Sequence, residues 1–171
     1  MSIDFIALMD RRQPLVDAPW LAEYLRTGAP FAPALIERYA KYWSPTAWTL
    51  ETSLATSRTE VIGPGGFIIA FYEHTLQVYH MMHFDVFTGD PIARRLLREA
   101  CMTIADLIGA DCALYTHELM LADKDSVAAA SAELRARVGL PAATFEELHA
   151  AESFDERKWY IDDFSDLRTA T

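Results

Sequence analysis

Apolar positions change period several times along this chain, and each change marks a predicted element. Ile3 to Leu8 is a short apolar stretch compatible with a strand, although six residues do not fix a period. From Pro19, the positions Trp20, Leu21, Tyr24 and Leu25 have helical spacing, and Gly28 with Pro30 ends the run. A second helix is expected from Pro33, with Leu35, Ile36, Tyr39, Ala40 and Trp43 on one face and Ser44-Pro45 as its stop. The period then drops to two. Trp48, Leu50, Thr52 and Leu54 alternate with Thr49, Glu51 and Ser53, as in a half-buried strand.

Gly63 to Gly66 reads as a turn, and Phe67 to Tyr72 after it as a central strand rich in β-formers. A strand is the wrong element to follow a phosphate-cradling loop, which needs a helix N-terminus. Glu73-His74-Thr75 should turn the chain, so that Leu76 to Phe87 returns antiparallel. Asp90 as cap and Pro91 in the first position then start a helix through Ile108, which Gly109 ends. Its apolar side holds Ile92, Ala93, Leu96, Leu97, Ala100, Cys101, Ile104, Leu107 and Ile108; Arg94, Arg95, Arg98, Glu99 and Asp106 lie opposite.

Cys112 to Leu119 is expected as a strand, and Ser126 to Val138 as a helix packed through Val127, Ala130, Leu134 and Val138 and closed by Gly139 and Pro141. Thr144 with Glu147 forms a capping box for a short last helix. The fold predicted is a single α+β domain over residues 1–171. It has an antiparallel sheet of about four to five strands against one long central helix, with helices toward both ends.

Composition narrows the classes of function. At 171 residues and 51% apolar content the chain can bury a sizeable core. Charged residues or histidine interrupt every apolar run before the roughly 18 residues of a membrane span, and the N-terminus has no basic region ahead of its short apolar run. A cytoplasmic protein is therefore expected. Cys101 and Cys112 match neither a disulfide framework nor paired metal-ligand spacing, and no cofactor is expected. A net charge of −10 argues against nucleic acid and anionic membranes as partners.

Three histidines fall close together, at His74, His80 and His83. On a strand, His80 and His83 point to opposite faces and cannot share a metal ion. His83 shares its face with Asp85, and a carboxylate beside an imidazole is the arrangement acid/base work uses. His117-Glu118 closes the next strand before a polar loop. An enzyme or ligand-binding domain would build its pocket from His83, Asp85, His117 and Glu118. The competing reading of each is a hydrogen-bonded residue on a partly exposed sheet. No Gly-x-Ser-x-Gly is present and Cys101 sits in an apolar stripe, so covalent catalysis is not expected. Arg94, Arg95 and Arg98 read either as a solvated helix face or as an anion site.

The charge is concentrated at one end. Between Glu146 and Asp166 eight acidic residues face two basic ones, Arg157 and Lys158, and Trp159, Tyr160 and Phe164 are set among them. Either Trp159, Ile161 and Phe164 fold onto the core with the acids outward, or the aromatics anchor a partner whose approach the charge accelerates.

The segments FDVFTGDPIARRLLREACMTIADLIGADCALYTHEL and WYIDDFSDL, in a small acidic α+β chain, resemble the immunity proteins of bacterial polymorphic-toxin systems. The resemblance is one of type and carries over no catalytic residues. It implies a protein that neutralises a cognate toxin, a basic one among the candidates, by covering its active site. The contact surface it points to here is Glu152, Asp155, Trp159, Tyr160, Asp162 and Asp163, with Glu51 added from the strand face. A subunit that homodimerises through the same aromatics is the third reading.

Overall fold

The computed structural model describes residues 4–27, 48–52, 58–63, 67–83, 90–117, 124–137, 139, 142–143 and 159–169. Within them eight strands form one sheet: β1 (Asp4–Asp10), β2 (Thr49–Thr52), β3 (Thr59–Ile62), β4 (Phe67–Phe71), β5 (Thr75–His83), β6 (Ala113–His117), β7 (Ala142–Ala143) and β8 (Trp159–Asp162). Four helices accompany it: α1 (Ala18–Thr27), α2 (Pro91–Ile108), α3 (Val127–Arg137) and α4 (Ser165–Thr169). The spatial order is β2-β3-β4-β5-β1-β6-β8-β7. Neighbours are antiparallel except the two-residue β7, which joins β8 in parallel.

The class is therefore α+β with an antiparallel sheet, but the sheet is larger than the four to five strands the patterning predicts. The surplus comes from β3, β7 and β8, which are four, two and four residues long and too short to display a period. Nor does one central helix back the whole sheet. On one face α1 covers β3 and borders β2 while α2 lies against β1 and β6; on the other face α3 packs against β1 and β6. That sandwich explains why Ile6 to Met9 are all buried, with no wet alternate position, since both faces of β1 are covered.

Register aligns two rows across the sheet. On the face of α1 and α2 run Leu50, Val61, Ile69, Val78, Ala7, Tyr115, Tyr160 and Ala143. On the other run Glu51, Glu60, Ala70, Gln77, Leu8, Leu114 and Ile161. Every member of the first row is buried except Leu50, which is 42% exposed at the open edge. All four residues of β2 are exposed, so the half-buried strand expected there is corrected to an edge strand whose partner covers one side only. Trp48 just before it is buried, its ring lying over Gly63 so closely that a Cβ there would meet ring carbons at 2.0 Å.

Local signals set the helix ends. Asp90 Oδ1 accepts a hydrogen bond from Ile92 N at 3.1 Å, and Gly109 ends α2 at φ +77°, a left-handed conformation that glycine adopts without a Cβ penalty. Asp17 Oδ1 accepts from Trp20 N at 2.8 Å to cap α1. The α3 stripe of Val127, Ala130 and Leu134 is buried as its spacing predicts, and Asp10 at the end of β1 accepts from Val127 N. The α2 stripe needs correction, because Ile92 is exposed whereas Arg94 and Arg98 are buried. The helix expected from Pro33 and the capping box at Thr144 lie outside the described residues.

Candidate functional site

The acidic, aromatic C-terminal segment folds inward. Trp159, Tyr160 and Asp162 on β8 are buried, so they offer no contact surface to a partner, and their assignment to one is corrected. Trp159 packs with Leu8, Leu114 and the α3 side chains, while Tyr160 joins the larger core on the opposite face. Burying a large side chain of this kind stabilises by roughly 1.5–3 kcal/mol.

Asp162 enters the interior because Arg98 is there to meet it. Arg98 donates from Nε to Asp162 Oδ2 at 2.6 Å and from Nη2 to Oδ1 at 2.9 Å. It also forks to Asp166, from Nη1 to Oδ2 at 2.9 Å and from Nη2 to Oδ1 at 2.6 Å. Tyr115 Oη donates to Asp162 Oδ2 at 2.8 Å, and Phe164 N donates to Oδ1 at 2.9 Å. Phe164 turns the chain at φ 60° between β8 and α4.

Burial opposes the Arg98 charge, but the hydrogen bonds it donates to Asp162 and Asp166 outweigh it, and its proton is held more firmly than in water. Burial, then the Asp162 charge, pushes the Cys101 thiol and the Tyr115 hydroxyl up, so both stay protonated. With donors and acceptors matched, this cluster is a latch joining α2, β6, β8 and α4. Arg94 is also buried, so of the three arginines only Arg95, paired with Glu99 at 3.0 Å, belongs to the solvated face.

The histidine reading meets an irregularity in the backbone. Phe5 pairs with His80 but Asp4 with His83, so one step along β1 spans three residues of β5. The strict alternation that would set His80 and His83 on opposite faces does not run unbroken between them. Phe5 also pairs with His117, which brings the ends of β5 and β6 to the same end of the sheet on either side of β1. Asp85 and Glu118 lie outside the described residues, and no cluster of three metal-ligating side chains occurs among the described ones.

A polar cluster that the patterning did not reveal sits on the α3 face, over β3, β4 and β5. Arg58 Nε donates to Glu60 at 2.8 Å, and its guanidinium lies 5.1 Å from the Tyr72 ring centre and 5.6 Å from that of Tyr79. Arg58 also hydrogen-bonds the Tyr72 hydroxyl, and Tyr79 donates to Gln77 Oε1. These bonds fix the Gln77 carbonyl toward the tyrosines. Its buried Nε2, like Thr75 Oγ1 and Thr116 Oγ1, has no hydrogen-bond partner among the described residues. Arg58 could have been suspected from Arg-x-Glu alternation ahead of a turn, but nothing local announces that Tyr72 and Tyr79 would flank it.

What remains on the surface is different in kind. Trp20 and Tyr24, one turn apart on α1, are 44% and 38% exposed and stack at 5.3 Å with an interplanar angle of 5°. Glu51 is exposed on β2 and Asp163 is exposed beyond β8, where it accepts from Ser165 N at 3.0 Å. Glu152 and Asp155 lie outside the described residues. No helix among the described residues is long and apolar enough to cross a membrane. No protein-family model matches this sequence, and none of the curated proteins matches it.

Proposed function

We propose that this chain is a binding protein of the bacterial cytoplasm that neutralises a basic protein toxin by covering its active site, as the immunity-protein resemblance implies. The observation that carries the reading is the exposed Trp20–Tyr24 stack on a chain of net charge −10. Trp and Tyr are the residues on which interface energy most often concentrates, and two rings already held parallel lose little freedom on docking. The acidic excess favours a basic partner and a fast, salt-sensitive encounter, and disfavours nucleic acid. Asp163 and Glu51 stay within this interface, with Glu152 and Asp155; Trp159, Tyr160 and Asp162 leave it for the core.

Co-expression with the toxin encoded beside its gene in the native host should restore growth and yield a complex on size exclusion. Trp20→Ala should keep the fold and weaken that complex at least about tenfold, the scale of an interface hot spot. Undiminished toxicity with both proteins soluble and no complex would refute the reading.

The second reading, a small enzyme or ligand-binding domain, draws on β5 and β6 ending together at His83 and His117. It predicts a pH-dependent activity or a ligand affinity that His83→Ala and His117→Ala abolish while Trp20→Ala leaves it intact.

A further inference from the structure

The two rows that cross the sheet both stop short at β2. Along the inner row each residue from Val61 to Ala143 is buried by its neighbours, and Leu50, the last member, is left in solvent. Along the other row Glu51 stands directly opposite Glu60. Like charges facing each other across a strand pair destabilise it. Glu60 is compensated by Arg58 at 2.8 Å on its far side, whereas Glu51 has no basic partner among the described residues. Among the described residues β2 is the open end of the sheet, and its whole length is exposed. Nothing among the described residues pairs with its other edge, which is the template that strand addition uses.

We propose that β2 is the docking edge for an extended segment of a partner protein, paired as a ninth strand, with a basic side chain opposite Glu51 and an apolar one beside it opposite Leu50. A strand added about 4.8 Å outside β2 extends both rows by one member. The apolar side chain covers Leu50 and completes the buried row. The basic one gives Glu51 a counter-charge, as Arg58 does for Glu60, so the run across the edge carries no net charge. The proposal rests on the reading of this chain as the binder of a basic protein and names the chemistry of the segment it takes. A second copy of this chain is the poorer occupant, because a pair of β2 edges brings two Glu51 carboxylates into one small interface between bodies that each carry −10.

The test uses the full-length protein and two synthetic peptides, one alternating lysine with valine and one alternating glutamate with valine. Amide hydrogen exchange read by NMR should slow at Thr49 to Thr52 with the lysine peptide and not with the glutamate peptide. Glu51→Lys, an exposed substitution that leaves the core untouched, should weaken the lysine peptide about fivefold and transfer the preference to the glutamate peptide. Leu50→Pro should abolish protection with either peptide; if it unfolds the edge, Thr49→Pro at the strand's first position repeats the test. Protection elsewhere than β2, equal response to both peptides, indifference to Glu51→Lys, or protection that grows with protein concentration alone would each overturn the proposal. Should the toxin complex still form with Glu51→Lys at unchanged affinity, the edge assignment fails and the broader reading stands; should no toxin complex form at all while the peptide preferences hold, the reverse is true.

Discussion

Replacing Asp162 by asparagine isolates the charge in the buried latch, because the amide keeps the carboxylate's shape and one oxygen for Tyr115 or Phe164. Asp162 is fully buried and the Arg98 side chain is 4% exposed. Removing one partner of such a pair strands the other charge in the interior, at a cost of about 3–5 kcal/mol. Arg98 retains its fork to Asp166, which at 23% exposure is partly hydrated, so the expected loss is at the lower end, about 3 kcal/mol. For a chain of this length that lowers the melting temperature by about 6–12 °C. Urea denaturation followed by circular dichroism gives the value directly. A cycle with Arg98→Met completes the test: each single change is costly, and the double change should cost less than the two together by about 2 kcal/mol. A stability for Asp162→Asn within about 0.5 kcal/mol of the parent, or simple additivity in the cycle, would refute the account of Asp162 as an interior counter-charge.

Other consequences separate interior from surface in the same segment. Trp159→Ala should cost about 3–5 kcal/mol in denaturation midpoint analysis, whereas Asp163→Asn, four residues on, should stay within about 1 kcal/mol, having among the described residues only its exposed bond to Ser165 N to lose; equal effects would contradict the burial pattern. Gly63→Ala drives a methyl into the Trp48 ring and should destabilise by about 1–3 kcal/mol, with Trp48 fluorescence shifted by the displaced ring. Tyr115 has its hydroxyl pushed up by burial and by Asp162, so its contribution to stability is complete below about pH 10 and is lost as pH rises toward the folded-state value. The unfolded chain releases that proton first. Stability measured from pH 8 to 11 should therefore fall, and Tyr115→Phe should flatten the fall by up to about 1.4 kcal/mol per pH unit while costing about 1 kcal/mol at pH 8.

The elements written in local code were legible along the chain. Asp90, Pro91 and Gly109 bracket α2, and Val127, Ala130 and Leu134 mark the inner side of α3, because caps and helical stripes act over one or two turns. The Phe67 strand and its antiparallel return were equally readable from a continuous β-rich run and the turn at Glu73-His74. Trp159-Tyr160-Ile161-Asp162 is too short to display a period, yet it is a strand with both faces covered: Trp159 and Ile161 toward α3, Tyr160 and Asp162 toward α2. It was read as an acidic surface because a carboxylate on its own belongs in water.

What the sequence determined by itself is thus the α+β class, the principal helices with their caps, and the acidic balance of the chain. All of these follow from the nearest neighbours of each residue or from a count. Tertiary structure alone decided which charges stay outside. Arg98 and Asp162 are 64 residues apart in the chain and 2.6 Å apart in space, and only the register of β8 beside β6 brings them together. The same holds for β2, whose alternation promised one covered face but whose position as the outermost of the described strands leaves Leu50 and Glu51 in solvent. A side chain's own chemistry sets the free energy of burying it, but the groups that offset that free energy are supplied by strands and helices distant in sequence, and no local pattern can name them.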